Sequence, residues 1–209
     1  MNIIEYFIDD DKEDSGLNAI SLVENPAIEL DWVALNKIDN VQLKVVDEEK
    51  RLVLGAILVP NKPILRLSED NEEYYIYFSK ETLVKALQKY MRSGKQGETT
   101  LEHKTKLNGQ EVYLTEVWIK EDLEKDKSAI YNDVAPIGSI MGSVKIENDE
   151  LWEQVKSGSI KGFSIEGMFT DHVKASAVEQ TPEEIEFNEI IEIIKTKIDG
   201  RKKDVSPTA

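Results

Sequence analysis

The sequence predicts an α+β domain: an antiparallel β-barrel or strongly curled sheet with surrounding helices, plus a helix at the C-terminus. Three observations predict it. Short runs rich in β-branched and aromatic residues recur along the chain, separated by charged or Pro-containing turns. Only two helical patterns interrupt them, with no repeated strand–helix–strand rhythm of the kind that builds a parallel sheet. The last periodic stretch, "TPEEIEFNEIIEIIKTKI", carries a complete helix start, with Thr181 and Glu184 as a capping box and Pro182 at the first helical position.

Element by element, residues 3–8 form a short strand, and the acidic run "DDDKEDSG" breaks it. "NAISLVENPAIELDWVALNK" has mixed periodicity around a proline and reads as extended or irregular. "VQLKVV", "RLVLGAILV", "ILRL" and "EYYIYF" are strands. A helix over 79–92 follows, capped by Ser79, with Leu83, Val84, Leu87, Tyr90 and Met91 at helical spacing and Ser93-Gly94 at its end. "TLEHKTK" and "EVYLTEVWI" are two strands whose Asn108-Gly109 link is the strongest short hairpin signal. "KEDLEKDKSAIYND" is a charged surface loop, and "GSIMGSVKI" is a strand. Asn148 opens a helix with Leu151, Trp152 and Val155 on its apolar side and Gly158 at C′. A strand over 159–170 precedes the terminal helix, whose stripe is Ile190, Ile191, Ile194 and Ile198, and the tail "GRKKDVSPTA" is expected to be disordered. The organisation expected is an N-terminal strand and irregular segment (1–40), a barrel domain (41–175) and the helix with its tail (176–209).

Composition narrows the function. The 209 residues carry 26 Lys and Arg against 41 Asp and Glu, a net charge of -15. That balance argues against a phosphate backbone or an anionic membrane surface as partner. With no cysteine, disulfide and zinc–thiolate chemistry are excluded. The acidic N-terminus lacks a secretory start and no apolar run is long enough to span a bilayer, so a cytoplasmic setting is expected.

Two histidines are present, His103 and His172. If Asn108-Gly109 closes a two-residue hairpin, His103 pairs with Leu114 and shares the apolar face with Leu101, Val112, Leu114, Glu116 and Trp118. Glu116 is then its diagonal neighbour. Such a His–Glu pair either pins strand register or serves as a base held in one tautomer by a carboxylate, as serine catalysis requires. Ser164 lies in "KGFSIEGM" between Gly162 and Gly167. The spacing is one residue longer than a nucleophile elbow and no strand–turn–helix follows, so an α/β-hydrolase is rejected. A strand serine by itself is ordinarily structural. Asp171-His172 makes a poor metal site, "SGKQGETT" and "PIGSIMGS" lack the setting of a phosphate loop, and Tyr74, Tyr75 and Tyr77 read as strand packing.

"LEHK", "LTEVWI", "PIGSIMGSVKIENDELW" and "VKSGSIKGFSIEGMF", with "NAISLVENPAIE" upstream, closely resemble the XkdF-like phage prohead serine proteases over residues 17–172. The resemblance implies the barrel of the herpesvirus assembly proteases, with Ser164 as nucleophile and His103 as general base. It does not fix the third member. The hairpin geometry favours Glu116, followed by Asp171 and then Glu166. Backbone N–H groups near Gly162 are the candidate oxyanion donors. No cofactor is implied. Implied substrates are the major capsid protein, the scaffold protein and the chain itself, inside the prohead in the host cytoplasm, with a homo-oligomer possible. The rival expectation is a catalytically inactive assembly module on the same fold.

Overall fold

The computed structural model describes residues 3–26, 44–68 and 70–171. The expected terminal helix and His172 lie outside the described residues, as does most of the segment after Pro26. Among the described residues, eleven strands form three small sheets, accompanied by two α-helices. The first sheet has the order β1 (Ile3–Glu5), β6 (Glu73–Tyr77), β5 (Ile64–Leu67). The second is β3 (Lys44–Asp47), β4 (Leu52–Leu58), β10 (Ile140–Ile146), β9 (Val112–Ile119), antiparallel throughout. The third is β11 (Gly162–Met168), β2 (Gly16–Val23), β7 (Thr99–Leu101), β8 (Thr105–Lys106).

The expected barrel does not form. None of the three sheets closes, and two pairings, β1 with β6 and β2 with β7, are parallel. The physical reason lies in the stretch 99–106. Read as one strand, it would pair with β9 and join the second and third sheets. Instead it turns back on itself after Leu101, so β7 pairs with β2 on one side and β8 on the other. Asn108-Gly109 does make a turn: the Asn108 side chain accepts from Gln110 N–H at 3.0 Å, and its carbonyl accepts from Glu111 N–H at 2.8 Å. That turn carries the chain from one sheet to the next, and β9 pairs with β10.

One core joins the three sheets. Leu17, Ile20 and Leu22 from β2, Ile57 from β4, Ile76 from β6, Val144 from β10 and Phe163 from β11 meet there, each at most 4% exposed. Burying a side chain of this size is worth about 1.5–3 kcal/mol. Helix α1 (Lys80–Arg92) closes one side with Leu83, Ala86 and Tyr90. Ser79 caps it by accepting from Thr82 N–H at 3.3 Å. Helix α2 (Asp149–Lys156), capped by Asn148, adds Leu151, Trp152 and Val155. Gly158 follows it at φ 75°, the left-handed backbone that a helix stop favours.

The second sheet is covered on its other face too. There Leu54, Ala56, Val59, Ala135 and Met141 form a smaller cluster beneath the loop that contains a 3-10 turn, Lys127–Tyr131. This explains why every residue of β4 after Leu52 is buried. Among the described residues, no helix is long and apolar enough to cross a membrane.

Candidate active site

Ser164 sits on β11, the end strand of the third sheet, directly opposite Ser21 of β2. Ser21 in turn stands beside Thr100 of β7. Because side chains alternate along a strand, Gly162, Ser164 and Glu166 share the face that carries Ser21 and Thr100, while Phe163 and Ile165 point into the core. The chain therefore builds one sheet with an apolar inner face and a hydroxyl-rich outer one. Ser164 is 9% exposed and Ser21 fully buried, so the outer face is itself covered.

The glycines that flank Ser164 are explained by packing. A Cβ at Gly162 would lie 2.4 Å from Pro26 Cγ, so β11 begins directly beneath that proline. A Cβ at Gly167 would lie 2.3 Å from the Gly16 carbonyl oxygen, where a register shift draws β11 and β2 together.

The second part of the cover is the turn between β7 and β8. Lys104 N–H donates to the Leu101 carbonyl at 3.0 Å, and the two central residues, Glu102 and His103, have φ of 53° and 56°. The register pairs Leu101 with Thr105, so residues 102–104 form a three-residue connection, and positive φ at two successive non-glycine residues is uncommon. With Glu and His there, the backbone is strained by roughly 1–3 kcal/mol at each residue.

β2 holds the turn in place. Glu102 N–H donates to the Leu22 carbonyl at 3.0 Å, Glu24 N–H donates to the Glu102 carboxylate at 2.6 Å, and His103 N–H donates to Ser21 Oγ at 3.0 Å. The His103 ring then lies over the outer face, with Nδ1 3.3 Å from Glu166 Oε1. The Thr100 hydroxyl donates to the same oxygen. His103 and Glu166 side chains are 43% and 34% exposed, accessible to a reactant. A carboxylate on Nδ1 selects the tautomer that carries its proton there and leaves Nε2 as the basic nitrogen. Ser164 Oγ makes no hydrogen bond among the described residues.

The residues named from sequence are thus distributed unequally. His103 meets Glu166 over the sheet face that also carries Ser164, with no contact between His103 and Ser164 among the described residues. Glu116 does not join them, for two reasons. Its strand pairs with β10, as described, and a bulge at Thr115 shifts the register between Ser143 and Val144. The bulge reverses the alternation: Leu114 and Val117 pack on the main core, whereas Trp118 packs on the smaller cluster behind the second sheet. Glu116 leaves the main-core face with Trp118. Its carboxylate accepts from Ser143 Oγ at 3.0 Å and from Lys127 Nζ. Burial pushes the Lys127 ammonium below its usual range, and the same ammonium lies 5.5 Å from the centre of the Trp118 ring.

Asp171 lies exposed past the end of β11, beyond the bridge between Phe7 and Thr170, and its charge acts on Tyr6. The residues that sequence reasoning missed are Ser21 and Thr100. The signal available for Ser21 was the "NAISLVENP" stretch, whose mixed periodicity concealed a strand.

A serine, an imidazole and a carboxylate gathered on one sheet face are the functional groups that acyl transfer to serine employs. Residues 40–173 match the model of the family described as "Putative phage serine protease XkdF". The chain belongs to that XkdF-like phage serine-protease family. No curated protein and no solved structure matches it. β2, the strand to which both β7 and β11 are hydrogen-bonded, lies upstream of the matched span.

Proposed function

We propose that the chain is a prohead-maturation serine endopeptidase in which Ser164 is the nucleophile, His103 the general base and Glu166 the carboxylate that orients it. The observation that carries the reading is the His103 Nδ1–Glu166 Oε1 contact of 3.3 Å, formed on the strand face that also bears Ser164 two residues away. It replaces the Glu116 assignment with an acid that the histidine touches.

Ser164 Oγ attacks the scissile carbonyl carbon while His103 Nε2 takes the hydroxyl proton. The imidazolium is stabilised by Glu166 and then protonates the departing amine as the C–N bond breaks. Water attacks the resulting ester, gives its proton to His103, and the serine is regenerated with that proton. No cofactor enters this cycle. The substrates proposed are segments of the capsid and scaffold proteins inside the prohead, where confinement supplies a high local concentration. Family membership supports that setting at the level of phage assembly.

The test is co-expression with the phage capsid protein, for the wild-type chain and Ser164→Ala, with cleavage followed by mass spectrometry. Cleavage by the wild type alone is expected. Equal cleavage by both variants would remove Ser164 as nucleophile. If neither cleaves, and a fluorophosphonate leaves Ser164 unlabelled, the chain is an inactive assembly module.

A further inference from the structure

The contacts around His103 close into a ring. Its backbone N–H donates to Ser21 Oγ at 3.0 Å, and Ser21 Oγ lies 3.4 Å from the Thr100 carbonyl. The Thr100 hydroxyl donates to Glu166 Oε1, and Glu166 Oε1 faces His103 Nδ1. The imidazole is therefore fixed at both ends, through its backbone by one strand and through its ring by another. The geometry points to Ser21 and Thr100 as positioning residues for the general base, a role that rests on the serine-protease reading above.

Three features support it. His103 occupies a left-handed backbone at φ 56°, a costly conformation for a non-glycine residue that persists where the surroundings fix it. Ser21 is fully buried in the middle of the third sheet, so its hydroxyl cannot turn to water; it has the His103 amide to accept from and the Thr100 or Leu22 carbonyl to donate to. Thr100 donates to the carboxylate oxygen that meets the imidazole, which restricts Glu166 to the rotamer that reaches Nδ1. Neither hydroxyl touches a reacting atom. Each acts on where His103 stands, and Ser21 does so from directly across the strand pair from Ser164.

Ser21→Ala removes the oxygen at nearly constant volume, and Thr100→Val removes the hydroxyl while keeping the side-chain shape. The measurements are the saturating rate of fluorophosphonate labelling at Ser164, the probe concentration at half-saturation, and hydrogen exchange at the His103 amide. For Ser21→Ala, labelling is expected to slow at least about tenfold with the half-saturating concentration unchanged. Exchange should accelerate at residues 102–104 while the rest of β2 and β7 stays protected. Thr100→Val should slow labelling less, and the double variant should lose less than the product of the two single effects, because both act on one side chain.

Unchanged labelling in Ser21→Ala, with the His103 amide released, overturns the positioning role and leaves Ser164 in place as nucleophile. An unchanged His103 exchange rate overturns it as well. Exchange that rises evenly across the sheet identifies Ser21 as a general packing residue and overturns it too. A wild-type chain that never labels at Ser164 overturns the protease reading itself.

Discussion

The His103–Glu166 and Lys120–Asp133 pairs have the same nitrogen–oxygen separation, 3.3 Å, in very different surroundings. Lys120 and Asp133 side chains are 0% and 1% exposed, under the loop that covers the second sheet. Lys120 Nζ also donates to the Asp133 carbonyl at 3.2 Å, and Ala135 N–H donates to the Asp133 carboxylate at 2.9 Å. Every contact there closes the loop on itself. His103 and Glu166 are half in solvent, rest on a strained turn, and leave one imidazole nitrogen for another partner. A buried ion pair in which each charge is used up holds a loop in place. An accessible pair with one basic nitrogen left over can carry out proton transfer. Separation does not tell the two apart; burial and spare hydrogen-bonding capacity do.

The largest expected effect is on chemistry. Glu166→Gln should lower turnover by about 10²–10⁴-fold, the usual worth of a positioned acid–base group, with denaturant midpoints close to wild type. A Glu166→Gln enzyme that cleaves normally would end the contrast, since both pairs would then be structural. Next comes Lys120→Met, which leaves Asp133 buried without its cation and should cost about 3–5 kcal/mol in denaturant unfolding. A loss below about 1 kcal/mol would mean that water reaches Asp133 as readily as it reaches Glu166.

Glu116→Gln sharpens the comparison with a smaller effect. Its carboxylate is half exposed on Lys127, so stability should change by less than about 1 kcal/mol and turnover should stay near wild type. A steep fall in turnover would bring Glu116 back toward the site. The smallest effect concerns Tyr6, close to where the first and third sheets meet. Burial, then a hydrogen bond with Tyr74, pushes its hydroxyl from 10.0 up to about 12. Between those values the folded chain keeps a proton that the unfolded chain has released, so the stabilisation is complete below pH 10 and is lost as pH rises through about 12. Tyr6→Phe should show a shallower loss of melting temperature across that window than wild type; parallel curves would rule the contribution out.

Much of the fold was legible in sequence because local signals and tertiary packing agreed. Ser79 and Asn148 cap the helices they announced, and Gly158 ends the second one. The runs at β4, β5, β6 and β10 are strands. The failures share a cause. Alternation carries a face forward only while a strand stays regular, and neither the turn at Glu102-His103 nor the bulge at Thr115 has a signature. Glu is uncommon at positive φ and no glycine or asparagine stands in "TLEHKTK", so its one tolerant residue, His103, is too weak a sign to announce a reversal. Once the turn was missed, Asn108-Gly109 took its place as the hairpin, and the register built on it carried Glu116 to the wrong neighbour. Ser164 and Glu166 needed no such inference, since two positions on one strand share a face wherever the strand goes.

The parallel pairing of β2 with β7 has a kinetic consequence. His103 and its buried anchor are 82 residues apart along the chain, and His103 and Glu166 are 63 apart. Contacts of such separation bear the entropy of closing long loops before they return any stabilisation, so they form late. A nascent chain ending before β11 has His103 but neither Ser164 nor Glu166. The cluster is therefore completed by the last described strand to be synthesised, and on the proposed protease reading a truncated product would lack two of its three groups.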